Sequence, residues 1–157
     1  MRRVYLLLGG LGLAGLIAGL FLLQPGKEPG NVTFLGEVVP PDRIALGETL
    51  YAENCASCHG VKLEGQPDWK TPLESGRMPA PPHDASGHTW HHADRQLFDI
   101  TKRGLGAVVE GYESDMPAFA DTLTDDQIRA VLAYIKSTWP ARERAFQDDV
   151  STSDGAR

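Results

Sequence analysis

The chain is short of cysteine: Cys55 and Cys58 are the only two in 157 residues. Both fall within one five-residue motif, so none is left over for a disulfide framework. A structural zinc site wants four ligands, and histidines would have to complete it. Strand-like alternation is lacking around the pair, which removes the βαβ setting of a thioredoxin-like C-x-x-C. Basic charge is also scarce. Lys and Arg total 15 against 21 Asp and Glu, for a net charge of −6. With Arg2 and Arg3 set aside, 13 basic residues face 21 acidic ones, a balance of −8. That argues against nucleic-acid binding and favours a basic partner surface or simple solubility. Methionine is rare, at three: Met1, Met78 and Met116.

What is present is Cys55-Ala56-Ser57-Cys58-His59. C-x-x-C-H is the attachment sequence for c-type haem. Each thiol can form a thioether with one vinyl group. A two-residue gap lets one helical turn offer both sulfurs to one porphyrin edge, and the histidine that follows lies under the ring to bind iron.

Val4 to Leu23 carries no charge. Twenty residues at a helical rise of about 1.5 Å cross a bilayer core of about 30 Å. Arg2 and Arg3 precede this run, so the positive-inside rule exports everything after it. No A-x-A-like site and no lipid-accepting cysteine follow, so residues 1–24 read as a retained anchor, with a cleaved signal peptide as the alternative. Residues 25–41 hold Pro25, Gly26, Pro29, Gly30, Pro40 and Pro41 and read as a flexible linker.

Residues 42–140 read as the folded domain. Asp42 is a good N-cap for a helix from Arg43 to Asn54 with Ile44, Gly47, Leu50 and Tyr51 at helical spacing. Gly47 inside that helix costs about 1 kcal/mol relative to alanine, which a close helix crossing would explain. A shorter helix starts at Ala93 or Asp94, carries Leu97, Phe98 and Ile100, and stops near Gly104 or Gly106. Thr124-Asp125-Asp126-Gln127 is a capping box. Ile128, Val131, Leu132 and Ile135 continue it as an apolar stripe ending near Trp139, ahead of Pro140. The polar residues 141–157 read as a disordered tail.

A helix with Gly47 and Tyr51, then the C-x-x-C-H motif, a Met-Pro pair and a last helix with Leu132-Ala133-Tyr134-Ile135 resembles a class I c-type cytochrome over Asp42 to Pro140. The resemblance implies an all-α fold around one covalent haem c, with Gly47 and Tyr51 crossing Val131 and Tyr134. It implies Cys55, Cys58 and His59 as attachment and iron-binding residues and Met116, in Asp115-Met116-Pro117, as the second axial ligand. Met78, also followed by proline, is the competing candidate. The Pro/Gly-rich segment from Gly60 to Trp90 would wrap the haem edge. A carbonyl near Pro67 would accept the other N–H of His59, and Trp69, Arg77 or Trp90 would reach the propionates.

His83, His88, His91 and His92 crowd into ten residues. They admit three readings: loop histidines bonded to backbone or propionates, a second metal site, or an axial ligand replacing methionine. The expectation that follows is a membrane-tethered periplasmic electron carrier of the bacterial inner membrane, not an enzyme. It would take electrons from a donor such as a quinol–cytochrome c reductase and pass them to a terminal oxidase. The alternatives are a metal-handling or redox-sensing accessory protein using the histidine cluster, a haem enzyme with an open iron site, and a subunit of a larger complex.

Overall fold

The computed structural model describes residues 31–156. The expected anchor, Val4 to Leu23, lies outside them. Among the described residues no helix is long and apolar enough to cross a membrane.

The described chain opens with a small antiparallel hairpin, β1 (Thr33–Phe34) and β2 (Glu37–Val38), in register Thr33 with Val38 and Phe34 with Glu37. Leu35 and Gly36 turn it with φ of 52° and 81°, the left-handed pair that matches strand twist and that glycine adopts without strain. The linker assigned to residues 25–41 therefore needs correcting from residue 32 on. Val32 and Phe34 are 3% and 4% exposed and belong to the core. The two prolines at the end of that span start a helix instead of extending a linker.

Helix α1 runs Pro41–Asn54. Pro40 takes the cap and Pro41 the first helical position, where a missing N–H costs nothing and φ is already helical. Asp42 is thus in the first turn, facing the positive end of the helix dipole, and is not the cap. Helix α2 (Ala56–His59) follows directly. A long irregular segment leads to a 3-10 turn at Thr89–His91, then α3 (Asp94–Arg103), α4 (Leu105–Val108) and α5 (Asp125–Thr138). The capping box at Thr124 and Gln127 is formed in both directions.

α1 crosses α5 at Gly47. A methyl group there would lie 2.0 Å from the Ala130 carbonyl oxygen and 2.9 Å from Tyr134 Cβ. The crossing explains the glycine, with Ala130 in the place expected of Val131. Tyr51 meets Tyr134 with ring centroids 5.6 Å apart. Ile128, Val131, Ala133, Ile135 and Trp139 fill the core behind this contact.

The tail assigned as disordered is a helix, α6 (Ala141–Gly155). It lacks a broad apolar stripe and is held by buried polar groups. Gln147 is 0% exposed, and its amide nitrogen donates to Asp94 Oδ1 at 2.6 Å, Ser151 Oγ at 3.0 Å and the His92 carbonyl at 3.2 Å. The Lys136 ammonium, buried on α5, lies 2.7 Å from Asp148 and 3.5 Å from Asp94, ion pairs whose angles fall short of hydrogen-bond geometry. The hairpin joins in: Leu35 N–H donates to Asp94 Oδ2 at 2.7 Å, and Thr33 Oγ1 to Asp148 Oδ1 at 3.1 Å. Buried charge needs a partner of opposite sign, and this cluster supplies one by drawing the two ends of the described chain together: Lys136 is ion-paired and the Asp94 carboxylate is hydrogen-bonded as well.

Candidate haem site

Cys55 closes α1, its N–H bonded to the Tyr51 carbonyl at 2.9 Å. The next turn brings the N–H groups of Cys58 and His59 onto the Cys55 carbonyl at 3.1 and 2.9 Å. Both thiols are unpaired, Cys55 half-buried and Cys58 exposed. Burial, helped by the nearby Cys58, pushes the Cys55 thiol up to about 11. A redox-active C-x-x-C sits in surroundings that lower such a pKa, and burial here acts in the opposite direction. The pair's disposition suits covalent attachment.

His59 is 7% exposed. Its Nδ1 lies 2.9 Å from the Pro81 carbonyl oxygen. A carbonyl only accepts, so Nδ1 carries the hydrogen and Nε2 keeps the lone pair that binds metal. Burial also lowers the His59 pKa, an effect the Pro81 bond opposes. The result is a neutral imidazole beside two cysteines, which is the donor set that covalent haem requires. The acceptor is Pro81, not a residue near Pro67, because the intervening loop folds back. Gln66 N–H bonds the Ala80 carbonyl at 2.9 Å and His83 N–H bonds the Leu63 carbonyl at 2.8 Å.

Met116 is half-buried and packs against the hydrophobic core. Its N–H bonds Ser114 Oγ at 3.1 Å, and Phe119 N–H ties the segment to the Thr101 carbonyl at 3.1 Å. Met78 is half-buried in the other loop. Arg77 pairs with Asp115 at 2.5 Å and Glu113 at 3.6 Å, so the residues preceding the two methionines are bridged. That pairing was missed in the sequence, where Arg77 stood with Trp69 and Trp90 as a candidate for the propionates.

The four clustered histidines point to different places. His83 stacks on His59, ring centroids 3.9 Å apart at 23°. His83 is held well below the usual histidine range by burial, then by His59 and His88. His88 lies over Trp69 at 5.4 Å, and its ring edge meets His92 at 5.3 Å. His91 packs against Trp90 and Phe146. Among the described residues no group of three or more His, Cys, Asp or Glu side chains is placed to hold a metal ion. Trp90 Nε1 is buried without a hydrogen-bond partner among the described residues.

Comparison with known proteins bears on this geometry. The family model described as "Cytochrome c" matches residues 44–139. The chain is 29% identical over 132 residues to a nitrite reductase of Stutzerimonas stutzeri, covering 80% of this chain and 20% of that protein. It is 26% identical over 121 residues to the cbb3-type cytochrome c oxidase subunit CcoP of Rhodobacter capsulatus, covering 74% and 37%. With cytochrome c6 of Tetradesmus obliquus it shares 32% identity over 96 residues, covering 59% and 86%. The chain thus spans well under half the length of the first two relatives. No solved structure matches it at comparable significance. The attachment motif, the neutral His59 imidazole, the α1–α5 crossing and a match across most of the folded domain converge: the chain belongs to the cytochrome c family, as a class I c-type cytochrome carrying covalent haem c.

Proposed function

We propose that the protein is a membrane-tethered periplasmic electron carrier with His59 and Met116 as axial iron ligands. The observation that carries this reading is the His59 imidazole, buried beside Cys55 and Cys58 with Nδ1 on the Pro81 carbonyl and Nε2 left to bind. Haem supplies a one-electron couple between ferrous and ferric iron, and methionine ligation raises its potential. Cys55 and Cys58 would hold it to α1 and α2, and Met116, packed on the core, would supply the second ligand. Trp90 Nε1, a buried donor without a partner, would serve a propionate. The uncharged run from Val4 to Leu23 supports a single-pass anchor, with Arg2 and Arg3 on the cytoplasmic side. Tethering raises the effective concentration at membrane complexes. The CcoP relatives, named as oxidase subunits, support a terminal oxidase as acceptor, and a quinol–cytochrome c reductase is the corresponding donor class. The metal-accessory alternative lacks a convergent histidine site among the described residues.

The test is absorption spectroscopy with potentiometric titration of the haem-loaded protein, wild type beside Met116→Ala and Met78→Ala. Only Met116→Ala should lose the methionine–iron charge-transfer band. Its potential should fall by a sizeable part of the ~0.8 V span that axial ligation controls. A wild type without that band sinks the ligand assignment. Cyanide or carbon monoxide binding would then separate an open site, as in an enzyme, from histidine ligation.

A further inference from the structure

The carrier reading leaves all four clustered histidines unused, and His83 is the one whose ring stacks on His59. One hydrogen bond to Pro81 fixes where the His59 ring sits but leaves it free to rock about the Nδ1–H···O axis. His83 lies flat against that ring, 3.9 Å away at 23°. We propose that His83 is a positioning residue for the iron ligand, a plate that fixes the plane in which the His59 imidazole meets the iron. This rests on His59 being the ligand.

The plate is itself held at its backbone N–H, its carbonyl and its Nδ1. Its N–H is on the Leu63 carbonyl at 2.8 Å, and its own carbonyl accepts from Trp139 Nε1 at 2.7 Å. Its Nδ1 meets Thr89 Oγ1 at 2.8 Å, while that hydroxyl faces the Pro82 carbonyl at 3.4 Å. The Tyr51 ring stands edge-on at 6.5 Å. The connection between the two constraints is equally stiff. Acceptor and plate are two residues apart, separated by Pro82 with its fixed φ. Pro82 is boxed by glycines on both sides: a methyl on Gly65 would reach 2.5 Å from its nitrogen, and one on Gly87 2.0 Å from its carbonyl oxygen. Pro81, Pro82 and His83 form one rigid bracket that holds His59 at an edge and a face. Support of this kind orients a ligand and tunes the metal through it. An aliphatic residue at position 83 would fill the space without the Thr89 bond that sets the angle of the plate.

The experiment uses the full haem-loaded chain in the ferric state, read by haem-methyl NMR shifts and EPR g-anisotropy, both of which follow the orientation of the axial imidazole. His83→Ala should displace the methyl resonances by more than their line width. His83→Phe restores a flat ring and should return the pattern towards wild type. Thr89→Val, close to isosteric, leaves the plate in place but unanchored and should give an intermediate displacement. Melting temperatures are measured beside them, since a purely structural role would lower stability and leave the shift pattern alone. That result overturns the proposal. If His83→Ala does not load haem, Thr89→Val decides: a displaced pattern supports the bracket and an unmoved one sinks it. His59→Gln is the control for the underlying assignment. If its spectrum equals wild type, the ligand reading has failed. If its spectrum changes while the His83 variants do not, the failure belongs to the bracket alone.

Discussion

The middle and the last turn of α5 are held by opposite kinds of chemistry. Its middle packs on α1 through shape: Gly47 lets a backbone carbonyl approach to where a methyl group would stand, and the tyrosines fill in around it. Its last turn is held by charge. Lys136 is 2% exposed and gathers Asp94 and Asp148, with Gln147, Leu35 and Thr33 completing the set. The apolar crossing lies inside the span that matches the cytochrome c family, residues 44–139. Of the polar cluster, Lys136, Asp94 and the His92 carbonyl lie in that span, and its remaining members come from the hairpin and α6, outside it. The hairpin also adds Val32 and Phe34 to the apolar core, so the contrast teaches that α6 is anchored chiefly by polar groups gathered around one buried cation.

Breaking the polar end should have the larger effect. Lys136→Met keeps the volume and leaves Asp94 buried without its counter-ion, a class of change that costs about 3–5 kcal/mol. The lower figure applies here, because Leu35 N–H and the Gln147 amide still solvate the Asp94 carboxylate. Urea unfolding of the haem-loaded protein reads this directly. Adding Asp94→Asn to Lys136→Met removes the unpaired charge and should recover part of the loss, the rest remaining because the new amide NH2 faces one of the two N–H donors that the carboxylate accepted from. A loss under about 1 kcal/mol would place the cluster with ordinary surface ion pairs. Gly47→Ala tests the apolar crossing. Alanine gains about 1 kcal/mol of helix propensity, but its methyl meets backbone, which cannot rotate away, and overpacking of this kind costs about 1–3 kcal/mol. With the methyl 2.0 Å from a carbonyl oxygen the top of that range applies, and a net loss of roughly 2 kcal/mol is expected. A stabilised variant would mean that the crossing is looser than its geometry.

The same contrast decides what could be read in the sequence. The apolar crossing was legible because local rules encode it. Glycine at a helical position otherwise costs stability, the stripe from Ile128 to Ile135 has helical period, and Cys55, Cys58 and His59 need a fixed spacing. The polar end was not. Lys136 sits among apolar residues as an ordinary surface lysine would, and its partners stand 42 residues earlier at Asp94 and 12 later at Asp148. No periodicity links them, so α6 reads as a polar tail. The hairpin was hidden for a related reason: strands of two residues leave no alternation to detect. The Pro81 acceptor was misplaced to Pro67 because a proline-rich loop announces a turn near the haem without saying which carbonyl returns to it. His83 was visible only as one of four histidines. Its role depends on a stack with a ring 24 residues away in the chain.

The smallest expected effect lies at the start of α5, upstream of both regions. Thr124 Oγ1 accepts from Gln127 N–H at 3.3 Å, and Gln127 Oε1 accepts from Thr124 N–H at 2.9 Å. Thr124→Ala removes one of these bonds and should cost about 1 kcal/mol. Both partners are accessible to water, which replaces the lost bond in part. The helix it caps carries the Gly47 crossing in its middle and Lys136 in its last turn, so the variant weakens neither contact directly. Combined with Gly47→Ala or with Lys136→Met it should therefore add within about 0.5 kcal/mol, as separated sites do. An excess over the sum with only one of the two would show that α5 frays towards that region first, and so which attachment depends more on a fully formed helix.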